Sequence, residues 1–540
     1  MSRFQNFMRS QYAWLAGPGS RPSICEWAVV FLLLVVCLLF NMKTCRLYPA
    51  EWSDEVSFSE PAINFAQSGS FTTRVWPYQP LNTFPVTNCP LYSMSLAVWL
   101  SLVGTSLLAV RTFNYALGGG VAFLSWACSW KLGLVKRPAS RLGLVLLMES
   151  GYGVSSAIRS SRPDMLAAFL LFLLVLLFGI GHSRWRTVAM IFVAAVIVWT
   201  ALQVALAAAF AAFVAWLFFR QVSFKDLVVV ALGMMLGALL LILFLEWHQV
   251  LPYFIISISS VTDRGSLSDT SFFHAIRETI SKCINNYVHD FSILPLFIGT
   301  IFCLAIRQRQ PASLSRPVLF LVLLIFSLPL LLNVFGHFTF FYSYVIFLPA
   351  CLLFLHLHEE AWVSAGALSR RWLGVSFILI TGLSLAVGLP LRIALAGMFF
   401  SVSNDGQMSG VLRQHIHAGD IVFTDNQAFF DAKQITTVVY VPDQSAAWSS
   451  QKYSKRELGR DERNSVSVLI VKPEIAEDVS GWLGGKWELA GQPFGDSMHI
   501  DRGVSLPGVG KLLASYCSQA TTLRYPLEIL RRKNETTVHQ

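Results

Sequence analysis

Apolar runs separated by short polar or basic segments fill the first 390 residues. Runs long enough for a helix to cross a hydrocarbon layer of about 30 Å lie near 25–43, 109–130, 142–158, 164–181, 187–219, 227–246, 291–306, 318–334, 341–357 and 372–390. No internal repeat relates them. After Pro390 the pattern changes. Asp420–Thr424, Val438–Val441 and Val466–Val471 alternate or run apolar between turn residues and predict strands, with a helix around Ala428–Gln434. Residues 396–510 therefore read as a small α/β domain, and 511–540 as a polar, basic and poorly ordered tail.

Composition fixes the solvent. The chain is 54% hydrophobic and 13% charged, against roughly 25% charged for a soluble domain. So little charge cannot cover a soluble protein of this length, which excludes soluble enzymes, disordered chains and fibres. The reading is a polytopic α-helical membrane protein.

The net charge of +10 then belongs to topology rather than to nucleic acid, because Lys and Arg collect in cytoplasmic loops. Basic clusters lie at Arg3/Arg9/Arg21, Lys131–Arg141, Arg184/Arg186, Arg220/Lys225, Arg307/Arg309/Arg316 and Arg370/Arg371. Placing all of them inside requires an even number of spans between neighbours. Leu91–Gly104 then becomes a short interfacial helix in the outer loop 44–108. Residues 187–219, which would make one helix of about 50 Å, become two spans turning near Thr200–Gln203.

The expected layout is a cytoplasmic tail at 1–24, a transmembrane domain at 25–395 with 11 spans, a second outer loop at 247–290, and the C-terminus outside. The nine cysteines form no CxxC or CxxH, which argues against a zinc or redox pair. The first apolar run lacks a convincing cleavage site for a signal peptide.

Charges near spans are costly, so each is a functional candidate. Three groups fall on the outer side. The first is Asp54-Glu55, about ten residues past the first span and ahead of an amphipathic stretch. Two such acids can cap a helix, or one can serve as a general base beside a neighbour that binds a cation. The second is Arg159-Ser160-Ser161-Arg162-Pro163-Asp164. It reads either as a capped helix start with snorkelling arginines or as an anion site whose arginines bind phosphate while Asp164 orients them or ligates a metal. The third is the loop 247–290 with its approach, carrying His248, Tyr253 and His289 among its polar and aromatic residues. His337 and Tyr342 lie at the outer start of a later span, where aromatics also form interface belts.

In this order, Trp52–Glu55, Pro90-Leu91-Tyr92, Arg111 and Arg162–Met165 resemble the glycosyltransferase C (GT-C) superfamily. Within it the likeness is to bacterial proteins related to protein O-mannosyltransferases and the lipid A aminoarabinose transferase. The likeness in layout covers residues 25–350. Two motifs differ: Asn88-Cys89-Pro90-Leu91 stands where the family often has His-Pro-Pro-Leu, and Thr200-Ala201-Leu202-Gln203 where it often has Thr-Lys-Gly.

The resemblance implies a membrane enzyme that is an inverting glycosyltransferase. It would move a sugar from a polyprenyl-phosphate donor to a lipid, glycan or protein acceptor at the outer face of a bacterial inner membrane. It implies catalytic roles for Asp54, Glu55 and Asp164, donor phosphate binding by Arg111, Arg159 and Arg162, and a divalent metal held by Asp54 and Asp164. No nucleotide cofactor is expected. His248, Tyr253, His289, His337 and Tyr342 are the further substrate candidates. A transporter or flippase, and a non-catalytic envelope assembly protein, are the competing readings. The first predicts repeats and mid-membrane ionisable groups; the second predicts partner binding through 402–510.

Overall fold

The computed structural model describes residues 21–76, 78–86, 89–180, 182–217, 223–262, 292–307, 321–327, 340–398, 405–441, 458–491 and 526–533, with a few positions between 274 and 331. The first helix, α1 (Ile24–Lys43), is followed by the short α2 (Ser53–Ser68) and α3 (Leu91–Val103). A bundle succeeds them: α4 (Leu107–Lys131), α5 (Pro138–Ser150), α6 (Tyr152–Arg159), α7 (Asp164–Gly179), α8 (Arg184–Thr200), α9 (Leu202–Leu217), α10 (Phe224–Trp247), α11 (Leu251–Thr262), α12 (Leu294–Arg307), α13 (Tyr344–Ser364) and α14 (Ala367–Val387).

Among the described residues five helices are long and apolar enough to cross a membrane: α1, α4, α10, α13 and Ala367–Ala394. α13 is the centre of the bundle, with Tyr344 to Leu357 buried. α1, α10 and α14 lie at its edge and expose large apolar side chains such as Phe31, Leu239 and Ile378. Apolar surface on that scale marks contact with lipid or another protein.

Two apolar runs break into shorter helices, the first where the sequence predicts a turn and the second where it predicts none. Residues 187–219 break at Ala201, between α8 and α9. Residues 142–158, expected as one span, break at Gly151. A Cβ on Gly151 would stand 2.6 Å from the Phe347 ring, and one on Gly153 would stand 2.1 Å from Oγ of Ser343. Only glycine lets this segment lie so close to the start of α13. The chain then turns by 113° between Gly153–Arg159 and α7. The run is therefore two short helices, α5 and α6, and Ser160–Pro163 form the elbow that leads from α6 into α7.

Residues 405–533 carry a five-stranded sheet in the order β2-β1-β3-β5-β4. β1 (Ile421–Thr424), β2 (Val438–Tyr440) and β3 (Val468–Val471) are parallel; β4 (Trp487–Leu489) and β5 (Glu528–Arg532) are antiparallel additions. β5 lies in the stretch expected to be a loose tail. Its Leu530 and Ile529 sit opposite Leu469 and Ile470 and close the core, which holds this part of the tail in place.

The sheet layer is not hung from a linker. Val56 and Ile63 of α2 and Leu96 and Leu100 of α3 share one core with Phe429, Phe430, Val422 and Ile529. Polar contacts rim it. Arg46 donates to both oxygens of Asp431 at 3.2 and 3.1 Å, Gln67 donates to the Lys433 carbonyl at 3.0 Å, and Gln434 donates to the Thr105 carbonyl at 2.8 Å. Lys433 itself is 2% exposed. Burial lowers its pKa to about 8, with the nearby carboxylate of Glu60 working in the opposite direction.

Candidate functional site

The adjacent acids at the start of α2 face different surroundings. A helix rotates successive side chains by about 100°, so Asp54 and Glu55 point in different directions. Glu55 is fully buried against Arg111 of α4, with Nε to Oε1 at 2.8 Å and Nη2 to Oε2 at 2.7 Å. Its Oε1 also accepts the Ser161 N–H at 3.0 Å. Asp54 is 38% exposed, and its Oδ2 accepts from Nη1 of Arg162 at 2.8 Å.

The elbow between α6 and α7 brings the remaining groups to this point. Asn114 of α4 donates to the carbonyls of Ala157 and Arg162 at 3.2 and 2.9 Å and to that of Ser160. Its Oδ1 accepts from the Tyr92 hydroxyl at 3.0 Å, and that hydroxyl shares a second bond with Ser161 Oγ at 2.7 Å. A fully buried amide inside an apolar bundle needs such partners, and here they fix the backbone that carries Arg162. Arg162 is 4% exposed, and its Nε lies 2.8 Å from Oδ2 of Asp164. Trp52 and Tyr342 present their rings to the guanidinium at 4.7 and 5.7 Å, a cation–π enclosure. Asp164 Oδ1 accepts from the Tyr344 hydroxyl at 3.3 Å.

The result is a row, Asp54–Arg162–Asp164–Tyr344, open to solvent at Asp54 and closing on apolar packing at Tyr344. Tyr344 also lines a narrow apolar crevice with Leu171, Phe172, Val204, Leu324 and Leu348.

Arg111 and Arg159 have internal partners. Arg111 completes its set at the Cys45 carbonyl. Arg159, fully buried, donates to the Tyr48 carbonyl and to Asn41 Oδ1, both at 2.7 Å, and to Thr44. Both arginines grip the strap that leads from α1 to Asp54. Arg46, on the same strap, points away to Asp431, and Arg392 binds the Tyr48 hydroxyl from the far side.

Among the other predicted residues, Tyr342 joins the site through Arg162. His248 caps α10 and stacks on Phe84 at 4.2 Å, while Tyr253 packs against the bundle core. Neither makes a described hydrogen bond or ion pair to the row. His289 and His337 lie outside the described residues, as does Asn88 of the altered motif. Asn114 was no candidate, Tyr92 stood only in the Pro90-Leu91-Tyr92 motif, and Tyr344 lies two residues past the candidate Tyr342. A buried amide in an apolar run was the one available hint at Asn114. Among the described residues no three His, Cys, Asp or Glu side chains converge as a metal set.

No family model and no curated protein sequence matches the chain. Solved structures do match in shape. ArnT from Cupriavidus metallidurans bound to undecaprenyl phosphate superposes with a TM-score of 0.58 at 12% identity, over 87% of this chain and 97% of that one. The same protein in the apo state gives 0.55 at 12% identity, over 86% and 96%. The archaeal oligosaccharyltransferase AglB from Archaeoglobus fulgidus, in complex with an inhibitory peptide and a dolichol-phosphate, gives 0.48 at 12% identity, over 84% and 70%. The fold is that of the two ArnT structures. With its apolar helices, it makes the chain a multi-pass membrane protein.

Proposed function

We propose that the chain is an inverting glycosyltransferase that takes a sugar from a polyprenyl-phosphate donor at the outer face of the membrane. The observation that carries this reading is the row Asp54–Arg162–Asp164, standing between solvent at Asp54 and the crevice at Tyr344. The donor's phosphate would arrive beside Arg162. The ArnT structure bound to undecaprenyl phosphate supports such a donor on a fold of this kind.

In this reading Asp54 is the general base. The exposed side of its carboxylate accepts the acceptor hydroxyl's proton as the new bond to the sugar forms. The bond from the sugar to phosphate oxygen breaks, and the polyprenyl phosphate leaves with the electron pair. Arg162, fixed before the substrate arrives, neutralises charge developing on that phosphate. Asp164 and the two aromatic rings hold the guanidinium in place. Glu55, Arg111 and Arg159 are assigned to the scaffold that sets the position of Asp54. The sheet layer braces the same strap from outside through Asp431.

The test is transfer by purified full-length chain from polyprenyl-phosphate sugars to membrane extracts. Asp54→Ala and Asp164→Ala should each abolish transfer while the protein still expresses and elutes as wild type. Full activity in both variants would sink the assignment.

A further inference from the structure

Asp54 and Asp164 face each other across one guanidinium. Arg162 reaches Oδ2 of Asp54 from Nη1 and Oδ2 of Asp164 from Nε, each at 2.8 Å. A divalent ion shared by these acids would need oxygen ligands at about 2.0–2.6 Å from a common centre, and that space holds the arginine.

The arginine is not a loose side chain that could make way. Its carbonyl accepts from Asn114 at 2.9 Å, its N–H donates to the Ser160 carbonyl at 2.9 Å, and Trp52 and Tyr342 cover its faces. Among the described residues no third acid, His or Cys joins these two, so an ion could enter only between the two carboxylates, where the guanidinium stands. The donor set therefore does not fit the metal that the sequence resemblance implied.

We propose that Arg162 is the resident cation of this site, filling between Asp54 and Asp164 the place a divalent metal would take, so that transfer proceeds without one. The proposal deepens the glycosyltransferase reading and rests on it for the statement about transfer. Its chemical content is specific. A guanidinium carries one fixed charge and offers N–H donors in a plane, which suits phosphoryl oxygens. It cannot be removed by chelation, and it ties the two acids to one covalent group, so that moving either disturbs the other.

Manganese(II) is the probe, titrated into purified full-length chain in detergent and followed by electron paramagnetic resonance. Wild type should take up no equivalent of manganese that Asp54→Asn removes. Arg162→Gln, with the cation gone, should gain one equivalent, and adding Asp54→Asn should remove it. A wild-type equivalent lost in Asp54→Asn would overturn the proposal. So would a folded Arg162→Gln protein that gains none, because the acids could then not close on an ion. Should Arg162→Gln not fold, the wild-type and Asp54→Asn titrations decide alone.

A second arm uses transfer. Wild-type activity should stay within twofold in excess EDTA, and loss restored by manganese or magnesium would overturn the proposal. A chain that transfers no sugar under either condition contradicts the functional reading instead, and the manganese titration still decides the cation.

Discussion

Glu55 and Arg111 form a two-point ion pair at 2.8 and 2.7 Å with both side chains fully buried, while the next residue in sequence, Asp54, is 38% exposed. Adjacent acids thus divide between scaffold and chemistry. Removing one member of a buried pair leaves the other charge without compensation, which costs about 3–5 kcal/mol. Glu55→Ala and Arg111→Ala should each destabilise the protein by that order, and the double variant should lose no more than either alone. Asp54→Asn leaves Arg162 paired with Asp164 and should cost less than Glu55→Ala, yet remove activity. Unfolding of the purified variants by denaturant or heat checks the ranking. Equal losses for Asp54→Asn and Glu55→Ala would contradict it.

The hydroxyl of Tyr344 reaches Asp164 at 3.3 Å, and the residue lines the apolar crevice. Tyr344→Phe keeps the ring and removes only this contact. A hydrogen bond to a charged group is worth roughly 1.5–3 kcal/mol, so stability should fall by no more than that while turnover falls by about tenfold or more. Steady-state rates beside a melting curve test this, and an unchanged rate would remove Tyr344 from the site.

Asp431 holds Arg46 from the sheet layer, and Ser409 donates to the same carboxylate at 2.7 Å. Arg46 is one of the anchors of the strap that ends at Asp54. Asp431→Asn and Arg46→Gln should each lower turnover several-fold with the donor's KM little changed, and the double variant should be no worse than the single ones. Additive losses would mean that the sheet layer acts by another route.

Lys433 gives a pH dependence with a definite sign. Its pKa is lowered from 10.5 to about 8 by burial, so between those values the folded protein binds fewer protons than the unfolded chain. Stability should therefore rise from pH 8 towards 10.5 and stay level with respect to this group below 8. The full rise is on the order of 3 kcal/mol. Lys433→Met should abolish this contribution, read as the difference in unfolding free energy between wild type and variant at pH 7.5 and 9.5. The same difference at both pH values would contradict it.

The fold and site were legible in the sequence to different depths. Scarce charge and long apolar runs identify a membrane protein because lipid leaves so few alternatives. The strands at Ile421–Thr424, Val438–Tyr440 and Val468–Val471 follow from apolar alternation between turns. β5 was hidden because Glu528–Arg532 carries two arginines, and its strand state comes from pairing with β3 across about 60 residues of chain. The break at Gly151 was hidden for a related reason. Periodicity reports which residues are apolar, but the close approach of Phe347 and Ser343 to Gly151 and Gly153 is a tertiary fact. At the site, Asp54, Glu55, Arg162 and Asp164 stood out as charges near apolar runs and Arg111 through the family resemblance, and they do lie together. Which of them are enclosed could not be read. Arg111 and Arg162 look alike in sequence, but one meets Glu55 inside the scaffold and the other bridges two acids beside the opening.

The central claim is that Asp54 serves a polyprenyl-phosphate sugar transferase. Mass spectrometry of membranes from cells making either the wild-type chain or Asp54→Asn at equal levels tests it most directly. The account predicts a glycosylated lipid, glycan or protein present only with wild type, and a polyprenyl-phosphate sugar that accumulates with Asp54→Asn. Identical glycoconjugates and identical donor levels in the two membranes would contradict it.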